Sequence, residues 1–236
     1  MKTEVILAAG GQGTRLKASV PKSLVLLAGQ PLLTFSLRIF ESSPMVDGVV
    51  VVAPEPQLKD IEGIIQDLSF TKVRQVVPGG RRRRDSVARG LAVLEPETGL
   101  VAIHDAARPL ISAELLDAAI KTAQKKAAVI VAVPVKPTIK QVNPQGMTVE
   151  GTLDRKLLWE VQTPQVFRKD IIIQAHQEFP HQDVTDDAAL VEMTGQAVHV
   201  VLGDYRNLKI TTPEDLITAE GLLASNKPGE MREGKG

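Results

Sequence analysis

Four charged side chains of the types that grip and polarise phosphate stand far apart in the sequence: Arg15, Lys22, Asp105 and Lys209. The first two follow a glycine-rich stretch, "LAAGGQGTRLKASVPKS", over 7–23. Glycines let the backbone N–H groups of a turn come close to phosphate oxygens. Fixed cations beside such a turn stabilise the charge that builds on oxygen during phosphoryl or nucleotidyl transfer. Ala8, Ala9, Gly10, Gly11 and Gly13 therefore form a candidate nucleotide-binding turn, with Arg15 and Lys22 as candidate catalytic cations. Two commoner phosphate grips do not fit. A P-loop has glycine directly before its lysine, whereas Pro21 precedes Lys22. The dinucleotide fingerprint fails where Leu16 stands in place of the third glycine. A tight connection after a strand and a solvated loop lysine are the plainer alternatives for these residues.

These groups need a scaffold, and the apolar pattern describes one. Short apolar runs at 4–9, 48–54, 72–80, 100–109 and 127–135 read as strands. Between them, apolar residues at helical spacing predict helices over 32–42, 58–68, 85–94 and 112–126, the last with Ser112 as N-cap. Strand and helix in alternation predict an α/β fold with a mostly parallel sheet flanked by helices. Asp105, in "HDAARP" over 104–109, then falls at the carboxyl end of a strand, where open α/β sheets bind ligands. Residues 136–157 break the rhythm. They alternate polar and apolar around "NPQG", which predicts a β-hairpin arm whose edges another subunit would cover. Helices near 169–179 and 186–194, a strand over 198–203 and a helix over 213–224 follow. One domain over 1–224 is expected, with a frayed polar tail over 225–236.

Composition removes several classes of function. Lys plus Arg and Asp plus Glu number 28 each, so no overall field favours nucleic acid. The run Arg81–Arg84 has no interleaved aromatics, which makes an RNA-binding patch the weaker reading of it. The chain has no cysteine, which removes disulfides and thiolate metal sites and suits a reducing compartment. The N-terminal apolar run stops at Gly10, short of a signal or membrane segment. A soluble cytoplasmic protein is expected.

The opening stretch is similar to the A-A-G-x-G-x-R…P-K start of sugar-nucleotide and related nucleotidyltransferases. "GGRRRRDSVARGL", "HDAARP", "TLDRKLLWEVQTPQVF", "TDDAALVEMTGQAVHVV" and "NLKITTPEDL" follow in order. Together, from about Val5 to Ala219, they resemble the 2-C-methyl-D-erythritol 4-phosphate cytidylyltransferase family, CTP-dependent enzymes of the non-mevalonate isoprenoid route. The resemblance implies a Rossmann-like nucleotidyltransferase fold, a homodimer joined through the arm, and magnesium on the CTP triphosphate. It implies that Arg15, Lys22 and Lys209 neutralise the reacting phosphates. Gly79, Gly80, Arg83 and Ser86 would line the cytosine end. Asp105 would hold the metal and, with Arg108, Thr138, Arg155 and Thr163, the acceptor, with Arg155 supplied by the neighbouring subunit. Two departures stand out: Arg81 and Pro137 occupy positions where relatives often carry an acid. His104 reads as a packing or hydrogen-bonding residue, and His176, His181 and His199 are assigned no role. Asp186 and Asp187 read mainly as acids at a helix start. A ribitol-5-phosphate cytidylyltransferase, whose relatives tend to carry a bulkier residue than Ala107, is the alternative enzyme. A catalytically silent nucleotide-binding module is the alternative of another class.

Overall fold

Val5, Ile6 and Leu7 have no exposed surface, so strand β1 (Lys2–Ala8) must be covered on both faces. The computed structural model, which describes residues 1–11, 16 and 21–225, shows how. Side chains alternate across a strand. Val5 and Leu7 thus point into one core with helices α1 (Leu32–Ser42), α2 (Leu58–Asp67) and α4 (Ala113–Lys126), while Ile6 points into another. That second core is shared with α3 (Arg83–Ala92), α5 (Lys169–Glu178) and α6 (Asp187–Met193). The layers are therefore helix, sheet, helix. A last helix, α7 (Pro213–Ala224), packs through Ala219 into a smaller cluster with Leu27 and Leu32.

The remaining strands are β2 (Leu26–Leu27), β3 (Gln30–Pro31), β4 (Gly48–Ala53), β5 (Val73–Pro78), β6 (Thr98–Asp105) and β7 (Ala128–Pro134). They continue with β8 (Lys140–Asn143), β9 (Thr148–Thr152), β10 (Trp159–Arg168) and β11 (His199–Leu202). Among the described residues, seven of them form one sheet in the order β11-β7-β10-β6-β1-β4-β5. The chain runs outward from β1 through β4 to β5, then returns to β6 on the other side of β1. This reversal is a topological switch point, where a crevice opens beyond the carboxyl ends of β1 and β6.

Two elements differ from the sequence expectation. Strand β10 is central and antiparallel to both β6 and β7, in a stretch for which the apolar pattern predicts no strand. A short hairpin, β2 with β3, precedes α1. The arm is present as β8 paired antiparallel with β9, at the foot of which Arg155 Nη1 donates to the Lys136 carbonyl at 2.8 Å. The expected frayed tail lies outside the described residues, Ser225 excepted.

Candidate active site

The carboxyl ends of four neighbouring strands supply the walls of one cavity of about 1100 Å³. From β1 come Ala8 to Gly11, from β4 the turn Pro54–Gln57, from β5 Gly79 and Gly80, and from β6 Asp105 to Ala107. Backbone hydrogen bonds hold this rim together. Ala9 N–H donates to Val52 at 2.7 Å, Ala106 N–H to Ala8 at 3.0 Å and Gly79 N–H to Ala53 at 2.7 Å. These bonds extend the sheet ladder by one residue beyond β1, β5 and β6.

Lys22 enters from a one-turn 3₁₀ helix behind Pro21, and its backbone N–H donates to Gly11 at 3.3 Å. Its side chain runs over Gly11, where an added Cβ would lie 3.6 Å from Lys22 Cδ. Lys22 is only 9% exposed and lines the cavity, so it is not a solvated loop lysine. Lys209 reaches the cavity from the segment before α7 and donates to Asp105 Oδ2 at 2.6 Å. Arg83, in the first turn of α3, donates through Nε to Asp105 Oδ1 at 3.1 Å. Its Nη1 donates to Asp187 Oδ2 at 2.6 Å. Burial alone would raise the Asp105 pKa, but Arg83, Lys209 and Arg108 outweigh it and hold the carboxyl well below its usual range. Burial likewise disfavours the Arg83 cation, yet Asp105 and Asp187 raise its pKa. Both groups are firmly charged.

Gly79 and Gly80 are glycines for lack of space. An added Cβ at Gly79 would stand 2.9 Å from Ser86 Oγ, and one at Gly80 would collide with Asp85. The Ser86 hydroxyl fastens this turn, accepting from Gly80 N–H at 3.1 Å. The arginine run divides its labour. Arg82 caps α3 with Asp85, Arg83 takes the two carboxylates, and Arg84 donates to the Phe179 and Gln182 carbonyls. Arg81 alone has neither ion pair nor hydrogen bond among the described residues, and it lies at the cavity rim.

Behind Asp105 a hydrogen-bond chain fixes its backbone. Asp105 N–H donates to Thr163 Oγ1 at 3.1 Å, which faces His104 Nδ1 at 3.1 Å, and His104 Nε2 lies 3.1 Å from the Arg108 carbonyl. A carbonyl only accepts, so this network assigns the proton to Nε2. Burial pushes the His104 pKa down to about 4, which keeps the ring neutral.

Sequence reasoning and structure meet at Ala8, Ala9, Gly10, Gly11, Lys22, Gly79, Gly80, Arg83, Ser86, Asp105 and Lys209, all of which line the cavity. Gly13 and Arg15 lie outside the described residues. Thr163 supports the site from beneath. Thr138 and Arg155 are exposed on the arm and do not line this chain's own cavity. Arg108, expected to meet a phosphate or a hydroxyl of the acceptor, does not line the cavity. It is 5% exposed and spends Nη1 on the Asn207 carbonyl and Nη2 on the Val161 carbonyl. Sequence reasoning passed over Ser23 and Gln57, residues of the cavity wall whose buried Oγ and Oε1 have no hydrogen-bond partner among the described residues.

Among the described residues no three His, Asp or Glu side chains cluster as an all-protein metal cage requires. Two carboxylates, Asp105 and Glu55, line the cavity. Asp105, at the end of β6, suits magnesium carried in on nucleotide phosphates, an ion held by one or two carboxylates plus the substrate's own oxygens.

A crevice at the switch point of an α/β sheet, lined by glycine turns at two strand ends, by two lysines and by Asp105, suits a nucleotidyltransferase. The family model described as 2-C-methyl-D-erythritol 4-phosphate cytidylyltransferase matches residues 3–225. The chain belongs to that family. It is 44% identical over 235 residues to the 2-C-methyl-D-erythritol 4-phosphate cytidylyltransferase of Alkaliphilus metalliredigens, covering 98% of this chain and 97% of the relative. Identity to the Geotalea uraniireducens protein of the same name is 43% over 230 residues, or 95% and 98% of the two chains. Among solved structures, the 4-diphosphocytidyl-2C-methyl-D-erythritol synthase of Anaerococcus prevotii superposes with a TM-score of 0.83 at 31% identity. That match covers 94% of this chain and 98% of the other. Among the described residues no helix is long and apolar enough to cross a membrane.

Proposed function

We propose that this chain transfers CMP from CTP to 2-C-methyl-D-erythritol 4-phosphate and releases pyrophosphate. An acceptor phosphate oxygen bonds to the α-phosphorus while the bond from that phosphorus to the α–β bridging oxygen breaks, and the leaving pyrophosphate keeps the electron pair. No general base is required, because a phosphate monoester is already ionised near neutrality. Catalysis is then positioning and charge stabilisation.

The observation that carries this reading is the convergence of Lys22, Asp105 and Lys209 on one cavity that the Gly79–Gly80 turn also lines. Lys22 and Lys209 neutralise the triphosphate, and Arg15 joins them. Backbone N–H groups of the Gly10–Gly11 turn face the phosphates, and cytosine lies against Gly79, Gly80 and Ser86. Asp105 would hold magnesium, which spreads the developing charge over its own coordination sphere. The acceptor meets Asp105 and Thr163 of one subunit, with Thr138 and Arg155 of the arm crossing to the partner's cavity in a homodimer. Exposed Met147, Val149, Leu157 and Trp159 on and beside the arm support this assembly, which light scattering would report as twice 25.5 kDa. The reading includes a cytoplasmic location, which cell fractionation would check.

Relatives at 40–44% identity carry the methylerythritol phosphate name, so ribitol 5-phosphate is not the favoured acceptor. The test is pyrophosphate release from CTP, UTP, ATP and GTP with each polyol phosphate, before and after chelation of divalent metal. Release with CTP and methylerythritol phosphate, abolished by chelator and restored by magnesium, is expected. Equal or faster release with ribitol 5-phosphate would reject the acceptor, and CTP binding without release would reject the enzyme.

A further inference from the structure

Asp187 has no exposed surface and does not line the cavity, yet it is joined to it by an unbroken series of charges. Asp187 Oδ2 accepts from Arg83 Nη1 at 2.6 Å, Arg83 Nε donates to Asp105 Oδ1 at 3.1 Å, and Asp105 Oδ2 accepts from Lys209 Nζ at 2.6 Å. The four residues come from α6, α3, the end of β6 and the segment before α7. Signs alternate along the series, so each charge is held by the next.

The far end is fixed. Gln165, with no exposed surface on β10, uses its Oε1 to accept from Asp187 N–H at 3.2 Å and Ala188 N–H at 3.1 Å. Its Nε2 donates to Asp186 Oδ2 at 2.7 Å, and the other oxygen of Asp186 caps α6 at Ala189 N–H, 3.1 Å. The start of α6 is thus bolted to the central sheet. Arg84 ties the loop before it to α3 through the Phe179 and Gln182 carbonyls. On its other side, Asp187 Oδ1 faces His176 Nε2 at 3.4 Å.

We infer that Asp187 is a positioning residue of this active site, acting through Arg83 and Asp105 to set the place of Lys209. Arg83 is committed to two carboxylates, so its task is to hold Asp105 Oδ1 and leave Oδ2 to Lys209. Without Asp187 the guanidinium loses its fixed end and is free to swing across Asp105, and Lys209 loses its seat. Displacements of about 1 Å at a reacting centre cost on the order of 100-fold in rate. The inference rests on the proposed role of Lys209 at the triphosphate.

The test is a double-mutant cycle on the full-length enzyme with Asp187→Asn, Lys209→Ala and both together, read as kcat, the KM for CTP and the melting temperature. Asp187→Asn is expected to lower kcat roughly 10- to 100-fold, the range for residues that orient a catalytic group, with the KM for CTP changed less than about threefold. In the Lys209→Ala background the same substitution should cost less than about threefold. If the two losses multiply, Asp187 has only a structural role and the inference is overturned. The same follows if Asp187→Asn leaves kcat unchanged while Lys209→Ala lowers it. If Lys209→Ala itself leaves kcat unchanged, the proposed function of Lys209 fails, and the inference with it. Should Asp187→Asn not fold, Arg83→Lys carries the same cycle, because an ammonium cannot span both carboxylates.

Discussion

Lys22 is the residue on which the chemistry leans most. It is only 9% exposed, lines the cavity and lies against Gly11 at the end of β1. Its place comes from local backbone: Pro21 fixes the entry, and the Lys22 N–H donates to the Gly11 carbonyl at 3.3 Å. Replacing it removes one fixed cation from the transferring phosphates. Lys22→Ala is expected to lower kcat by on the order of 10²- to 10³-fold, as for loss of one preorganised donor, with little change in melting temperature. Steady-state pyrophosphate release beside a thermal melt checks both halves, and a variant with unaltered turnover would remove Lys22 from the mechanism. Arg108 shows what sequence leaves open: read as meeting a phosphate or a hydroxyl of the acceptor, it is buried and its guanidinium donates to two backbone carbonyls. Sequence shows which charges exist and not which are already paired.

The elements explain how a carboxylate keeps its aim. Asp105 is the last residue of β6, and the chain Asp105–Thr163–His104 ties its backbone to β10. That tie needs a neutral imidazole. His104 has a folded pKa of about 4 against an ordinary 6.5, so it stays unprotonated where the unfolded chain does not. As pH falls from about 6.5 the unfolded state gains a proton first, and stability drops until about pH 4, by about 3 kcal/mol in all. Chemical denaturation across this range should show the fall, and His104→Gln should flatten it. An unchanged slope in that variant would contradict the role. The strand at the other end of the tie is the one the apolar pattern does not reveal. In "WEVQTPQVFR" the residues Gln162, Thr163 and Gln165 are polar, and Pro164 argues against a central strand. The fold accommodates both. The ladder to β7 skips from Gln162 to Gln165, so Pro164 sits where no ladder partner is required, and the polar side chains bond to the site and to α6. Strands β4 and β7, and the apolar stretches of β1 and β6, lie in runs that the sequence displays, because most of their side chains only pack.

At the scale of the molecule, the switch point is what turns scattered residues into one site. Lys22, Gly79, Asp105 and Lys209 span most of the chain, and only the return from β5 to β6 beside β1 brings their strand ends together. The glycine turns and candidate cations were legible in the sequence through residue type. The pairing of Arg83 with Asp187, 104 positions away, was not, because nothing local encodes it. Thr138 and Arg155 do not line their own chain's cavity, so the proposed acceptor site is the part of the account that depends on the proposed homodimer. The most direct measurement is a crystal structure with a non-hydrolysable CTP analogue. The account predicts one triphosphate contacted by both Lys22 and Lys209, with cytosine against the Gly79–Gly80 turn. A nucleotide bound elsewhere, or held with its base at the lysines and its phosphates at Gly79, would contradict it.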